Sequence, residues 1–136
     1  MRKAGIVQPK TTAIIGLLFT LITGVCLIGC GSDPIRLEGV DLPSWKSDSD
    51  GCNQKRDQWV PLILRQKEKI LAQSESAVIE LLGKPDGIEL YKRNQKLYHY
   101  RISPGNGCPL KDSLNKEVLI RFNAMGRAKE IYSTPE

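Results

Sequence analysis

Cysteine and histidine are the residues of this sequence that can take part in the most kinds of chemistry, and the chain has few of either. The 136-residue chain has four cysteines and one histidine. Cys52 and Cys108 form an even pair in its downstream part, which favours a disulfide if the protein folds in an oxidising compartment. A bridge between them would close a loop of about 57 residues and contribute about 4 kcal/mol. Free thiols or a metal site are the alternatives, although the pair lacks the C-x-x-C spacing of a zinc site and only His99 lies nearby.

Catalysis by His99 would need a nucleophile and an orienting partner within reach of the ring. The sequence has no G-x-S-x-G, H-E-x-x-H or glycine-rich phosphate motif to supply them. We therefore interpret His99 as a surface residue on a strand, and Asp86 in Lys84-Pro85-Asp86-Gly87 as a turn former. The sequence predicts no catalytic residue, no cofactor and no metal.

The acidic stretch Ser47-Asp48-Ser49-Asp50-Gly51 has part of the spacing of a calcium-binding loop. The glutamate that would complete such a loop is absent, because position 59 is Trp59. We therefore interpret the stretch as the beginning of a helix, where short oxygen-bearing side chains accept hydrogen bonds from free backbone N–H groups.

Four cations are predicted to lie close together on one hairpin, and we interpret them mainly as solvated charges that protect a sheet edge. The alternative is a patch for anionic headgroups or for an acidic partner. These residues are Lys92, Arg93, Lys96 and Arg101.

The first thirty residues have the three-part pattern of a secretory signal, with an apolar run that begins near Thr11. The run ends in Leu27-Ile28-Gly29-Cys30, which resembles a bacterial lipoprotein signal. The resemblance implies that residues 1–29 are removed and that Cys30 is acylated and becomes the mature N-terminus. Cys26 is an alternative acylation site, and an uncleaved transmembrane helix is the alternative structure.

The formal net charge of +5 partly reflects this first segment. The whole chain has 20 basic and 15 acidic residues, and removal of Arg2, Lys3 and Lys10 leaves 17 against 15. The mature protein would then be close to neutral, which argues against a nucleic-acid partner.

After Cys30, residues 30–46 lack an apolar period and are predicted to form a flexible tether to a small domain of residues 47–136. A first helix is predicted over 52–72, either kinked at Pro61 or beginning near Trp59 with Pro61 in its first turn. A second helix follows Ser74 and ends at Gly83. From Ile88 the apolar period changes to two, which predicts strands over 88–91, 96–103, 117–122 and 127–132. Two helices packed on an antiparallel meander make an α+β fold.

Three segments together resemble the SmpA/OmlA family of small outer-membrane lipoproteins, the BamE-like group. They are Ser74–Asp86 with its Leu-Leu-Gly-Lys-Pro-Asp ending, Tyr98-His99-Tyr100, and the stretch 118–126 that ends Phe122-Asn123-Ala124-Met125-Gly126. The resemblance covers about residues 52–132 together with the lipid signal. It implies a domain that assists insertion of β-barrel proteins into the outer membrane and catalyses nothing.

We therefore expect a lipid-anchored protein of the cell envelope that acts as a non-catalytic scaffold or partner-binding module. Its partners would be the membrane, through the acyl group, and an envelope protein. Gly31 after Cys30, in place of an aspartate, would favour the outer membrane in lipoprotein sorting, at its periplasmic face. The alternative function is that of a lipoprotein inhibitor or small-ligand binder, since related folds include secreted inhibitors of β-lactamase.

Overall fold

The computed structural model of the protein describes residues 34–110 and 114–134. The predicted signal over 1–29 and the predicted lipid attachment at Cys30 lie outside these residues. The α+β class is confirmed, with short helices first and a four-stranded antiparallel meander after them. The elements are α1 (Leu42–Ser47), α2 (Val60–Arg65), α3 (Glu75–Leu82), β1 (Gly87–Tyr91), β2 (Gln95–Arg101), β3 (Glu117–Phe122) and β4 (Ala128–Ser133). In the described ranges, no helix has the length and apolar character needed to cross a bilayer.

The folded unit begins earlier than residue 47, which corrects the expected end of the tether. Asp41 caps α1 by accepting a hydrogen bond from the Ser44 amide, and Trp45 of this helix is completely buried. Leu37 upstream is 7% exposed and belongs to the same core. The tether was predicted because this stretch has no apolar period. That prediction fails here because one large aromatic ring can anchor a short segment that has no periodic apolar stripe.

The segment predicted as a single helix over 52–72 contains only the six residues of α2 as α-helix, flanked by 3₁₀ turns at Asp57–Trp59 and Lys67–Lys69. Pro61 lies in the first turn of α2, where its missing N–H has no intrahelical partner to lose. This is the second of the two alternatives for Pro61. The segment still fills the core, because Ile63 and Ile70 are fully buried.

Helix α3 follows its sequence signals closely. The Ser74 hydroxyl accepts a hydrogen bond from the Ala77 amide, as an N-cap should. The helix ends at Gly83, whose φ of 84° lies in the region that favours glycine. Its core-facing side chains are Val78, Leu81 and Leu82.

The meander has the strand order β1-β2-β3-β4, and each strand pairs with the next one in the chain. The face toward the helices carries the buried side chains Tyr98, Tyr100, Val118, Ile120 and Phe122. Tyr98 packs on Phe122 with ring centroids 4.6 Å apart. Two aromatic hydrogen bonds tie α3 to this core, because Trp45 Nε1 donates to the Leu82 carbonyl at 3.1 Å and the Tyr100 hydroxyl donates to the Gly83 carbonyl at 2.9 Å.

Candidate functional site

A cluster of five charged side chains lies where the loop after α1 meets the end of β2. We call Asp48, Asp50, Arg56, Asp86 and Arg101 the polar cluster. Asp48 is fully buried and organises the loop around its carboxylate. Its two oxygens accept hydrogen bonds from the amides of Asn53, Lys55 and Arg56 at 2.8, 2.7 and 3.2 Å. Asp48 therefore caps a loop, and not the long helix that the sequence predicted.

Arg56 and Asp86 form a buried ion pair at the centre of the polar cluster, with side chains 2% and 4% exposed. The other guanidinium hydrogen bonds go to the carbonyl groups of Trp45 and Arg101, both at 3.0 Å. The guanidinium carbon also lies 5.1 Å from the centroid of the Trp45 ring, within the range of a cation–π contact. The buried positive charge is thus compensated on several sides.

Asp86 has a larger role than the turn former that the sequence suggested. One carboxylate oxygen accepts the Asp50 amide and the other accepts the Arg101 amide, both at 2.8 Å. Asp86 therefore holds the loop after α1 and the end of β2 together, in addition to pairing with Arg56. Nothing local in the sequence marks this contact, since Arg56 lies 30 residues before Asp86.

Asp50 and Arg101 form the more exposed half of the polar cluster. Arg101 Nη1 donates to Asp50 Oδ1 at 2.6 Å, and this hydrogen bond is the main cause of a raised pKa of Arg101. The other oxygen of Asp50 accepts the Gly107 amide at 2.8 Å. A Cβ atom at Gly105 would collide with both Asp50 and the Arg101 guanidinium. Glycine at position 105 is therefore needed for the close approach of the two loops.

Cys52 and Cys108 are joined by a disulfide with their Cα atoms 5.3 Å apart, as the sequence predicted. The bridge joins the same two loops as the contacts of Asp50. The carboxylate of Asp50 lies within 4.8 Å of both sulfur atoms, which makes this group the candidate metal site among the described residues. Because both sulfurs are in the disulfide, neither is available as the thiolate that a metal requires.

His99 lies on the outer face of the sheet, opposite to Tyr98 and Tyr100, with 22% of its side chain exposed. Its Nδ1 atom is 2.8 Å from Glu117 Oε2, and its Nε2 atom is 3.6 Å from a carboxylate oxygen of Glu89. The ring is thus placed between two carboxylates, in a row of charges that Arg101 also joins. The interpretation of His99 as a non-catalytic surface residue stays a prediction.

The four cations predicted on one hairpin are separated by the structure. Lys96 pairs with Glu75 on the inner face at 2.9 Å, and Arg101 belongs to the polar cluster. Lys92 and Arg93 remain together at the exposed tip between β1 and β2.

Glu75 links α3 to the sheet through two partners on β2. The Tyr98 hydroxyl donates to Glu75 Oε2 at 2.6 Å, and Lys96 Nζ donates to the same oxygen at 2.9 Å. Burial alone would raise the pKa of Glu75, but these two partners together hold it below its ordinary value. Burial, and then the hydrogen bond to Glu75, raise the pKa of Tyr98 to about 12.

An open cleft with a volume of ≈ 460 Å³ lies between α2 and the ends of the last two strands. Its apolar wall consists of Val60, Pro61, Leu64 and Ile102, and the Lys116–Asp57 ion pair lies at its rim.

The structure thus brings Cys52 and Cys108 together and leaves His99 apart from them. It also shows the buried ion pair of Arg56 and Asp86, which the sequence did not predict. Comparison of the chain with family models, with curated proteins and with solved structures gave no match.

Proposed function

We propose that this chain is a lipid-anchored protein of the cell envelope whose small domain binds a protein partner and acts as a non-catalytic scaffold. The observation that carries the proposal is the combination of Leu27-Ile28-Gly29-Cys30 with the Cys52–Cys108 disulfide. Disulfides persist in oxidising compartments. A lipoprotein signal would deliver the domain to such a compartment, so two independent features agree.

The order of the elements supports the resemblance to the SmpA/OmlA family. That resemblance implies helices followed by an antiparallel meander, with a capped helix that ends in Leu82-Gly83-Lys84-Pro85. Helix α3 begins after the cap at Ser74 and ends at Gly83. Assistance to β-barrel insertion at the outer membrane is the specific role that we propose on this basis, although fold alone does not fix function.

The polar cluster supports binding rather than catalysis. A general acid or base must be able to reach a substrate proton. The carboxylate of Asp86 instead accepts hydrogen bonds from Arg56 and from two backbone amides. Such an arrangement fixes loops in place, which suits a rigid docking surface.

Acylation is tested on the full chain expressed with its N-terminus intact in a bacterium that processes lipoproteins. Mass spectrometry should find a mature chain that begins at Cys30 and carries a thioether-linked diacylglycerol. Cys30→Ala should abolish the acyl mass and release the protein from the membrane fraction, whereas the matched variant Cys26→Ala should change neither. A purified chain that begins at Met1 without an acyl group would contradict the proposal.

The scaffold role is tested by crosslinking the full chain in intact cells and identifying its neighbours by mass spectrometry. We expect envelope proteins, and a strain that lacks the protein should hold less folded β-barrel protein in its outer membrane. Unchanged barrel levels would remove the barrel-assembly role. An absence of any crosslinked envelope protein would remove the scaffold role.

The cleft beside α2 favours small-ligand binding as a second candidate function. Its wall is largely apolar and is surrounded by polar groups, which is a common arrangement in ligand sites. Native mass spectrometry of the protein purified from its own membrane would show a bound ligand, and Leu64→Arg should abolish its retention.

A further inference from the structure

Strand β1 is an edge of the sheet and leaves its large apolar side chains uncovered. It pairs with β2 only, so one side of its backbone faces away from the sheet. The exposed fractions are 56% for Ile88, 78% for Leu90 and 45% for Tyr91. The other edge strand differs, because Ala128 and Ile131 of β4 are buried.

The register shows that Ile88 and Leu90, two of these uncovered side chains, continue the protein core. Ile88 pairs with Tyr98, and Leu90 pairs with Lys96, so both lie on the face that the helices cover. Lys96 contacts Glu75 at the start of α3. Ile79, one helical turn further along α3, is also 37% exposed. An additional strand on β1 would therefore extend both the hydrogen-bonded ladder and the apolar face of the sheet.

Exposed cations flank β1 on both sides. Lys84 lies three residues before the strand, and Lys92 and Arg93 follow it directly. Three cations within the strands, Lys96, Arg101 and Arg121, have acidic partners instead. Among the described residues, the structure gives Lys84, Lys92 and Arg93 no ion-pair partner.

A second copy of this chain that pairs symmetrically about Glu89 does not suit the edge. Antiparallel pairing of β1 with itself about Glu89 would place Glu89 opposite its own copy and bring Lys84 near the Lys92–Arg93 tip of the partner. Like charges directly opposite one another in a sheet are destabilising. A segment with apolar residues in its centre and acidic residues at its ends would instead match both the exposed side chains and the flanking cations.

We propose that β1 is the docking edge for an extended acidic segment of the protein partner, which adds to the sheet as a fifth strand. Main-chain hydrogen bonds to β1 would provide much of the affinity, as in other cases of strand addition. Ile88 and Leu90 would contact alternate apolar residues of the segment. Lys84, Lys92 and Arg93 would select acidic ends and fix the register. This inference rests on the proposed function, and it names the surface and the chemistry of the partner.

The test uses the full chain in detergent micelles and a synthetic peptide of alternating valines with aspartates at both ends. We expect binding at about millimolar peptide and slower hydrogen exchange of the amides of β1. The double variant Lys92→Glu/Arg93→Glu and the single variant Leu90→Lys should each weaken binding by about tenfold. Met125→Lys is the matched control, because Met125 is 85% exposed at the turn between β3 and β4, and β2 and β3 separate this turn from β1. It should leave binding unchanged.

Two peptide controls examine the two parts of the inference. Exchange of the aspartates for lysines should abolish binding if the flanking cations select the segment. N-methylation of alternate residues, in the register that faces β1, should abolish it if main-chain pairing is used. The proposal would be overturned if the lysine peptide, or the N-methylated peptides in both registers, bound as tightly as the aspartate peptide. It would also be overturned if the aspartate peptide did not bind, or if it bound Leu90→Lys as tightly as the unchanged protein.

Failure of this inference is distinguishable from failure of the proposed function. If Leu90→Lys retains the acyl group and the same crosslinked neighbours in cells, the scaffold role stands and docking at β1 is wrong. If the chain has no acyl group and no neighbours although the acidic peptide pairs with β1, the anchored-scaffold role is wrong and the edge site stands.

Discussion

Arg56 shows what a buried charge does in this small domain. Removing a guanidinium and a carboxylate from water costs several kcal/mol per ion, and attraction within the pair offsets this only when the remaining hydrogen bonds are also made. Here the remaining bonds go to carbonyl and amide groups of α1, of the following loop and of β2. The ion pair therefore holds these loops in one arrangement. It contributes less to the free energy of unfolding than its number of contacts suggests.

Asp86→Asn should destabilise the domain by about 3–5 kcal/mol, because it leaves the Arg56 guanidinium buried without a counter-charge. Urea denaturation followed by circular dichroism measures the change in the free energy of unfolding. Asp57→Asn is the matched control, since the Asp57 side chain is 57% exposed in its pair with Lys116. That control should cost less than about 1 kcal/mol. Equal effects of the two variants would contradict the role given to burial.

Tyr98 should make the stability of the protein depend on alkaline pH. Its pKa is raised to about 12 in the folded state, above its ordinary value of 10.0. The contribution is therefore fully present below pH 10 and is lost as the pH rises toward 12, by up to about 3 kcal/mol. Tyr98→Phe should remove this part of the alkaline loss. Unfolding free energies of the two proteins across this range are the measurement, and parallel curves would refute the prediction.

The partner of Tyr98 gives a dependence of opposite direction in acid. The folded-state pKa of Glu75 is lowered, so its contribution is present above its unfolded pKa and is lost as the pH falls through the folded value. Glu75→Gln should flatten the acid side of the stability profile. It should also reduce the alkaline loss, because the hydrogen bond to Glu75 contributes to the raised pKa of Tyr98.

At the scale of elements, prediction from sequence succeeded where the signal is local. Strand β3 has the predicted bounds, and α3 was found from Ser74 and Gly83, because alternation and capping depend only on near neighbours. The prediction of one long first helix was wrong. The apolar residues of 52–72 can pack into the core from 3₁₀ turns as well as from a continuous helix. The polar cluster was missed because its contacts join distant residues, such as Asp50 and Arg101, which are 51 residues apart.

The disulfide is the element-scale constraint that holds the two loops of the polar cluster together. The double variant Cys52→Ala/Cys108→Ala removes the constraint on a loop of about 57 residues and should lower the free energy of unfolding by about 4 kcal/mol. The amides of Gly105 and Gly107 donate to Asp50, so their hydrogen exchange should accelerate more than that of β3. Reductant should reproduce the effect in the native protein and change nothing further in the variant. Uniform acceleration through the sheet would show that the bridge has no local role.

At the scale of the whole molecule, the segment that contains α1 completes the core of the described domain. Trp45 lies against Tyr100 with ring centroids 6.2 Å apart, lies beside the Arg56 guanidinium and donates to the Leu82 carbonyl. One side chain thus contacts the meander, the polar cluster and α3. A domain of about 100 residues has a small hydrophobic core. Loss of the Trp45 contacts should therefore destabilise every element.

Truncation tests where the folded unit begins. A chain of residues 34–136 retains Leu37 and Trp45 and should unfold cooperatively with the stability of the longer protein. A chain of 48–136, which begins near the boundary expected from sequence, loses both residues and should lack a cooperative transition. Trp45→Ala within 34–136 isolates the aromatic contact and should cost about 3–5 kcal/mol. Cooperative unfolding of 48–136 at unchanged stability would mean that the segment with α1 only lies on a core that is complete without it, and the sequence-based boundary would then be correct.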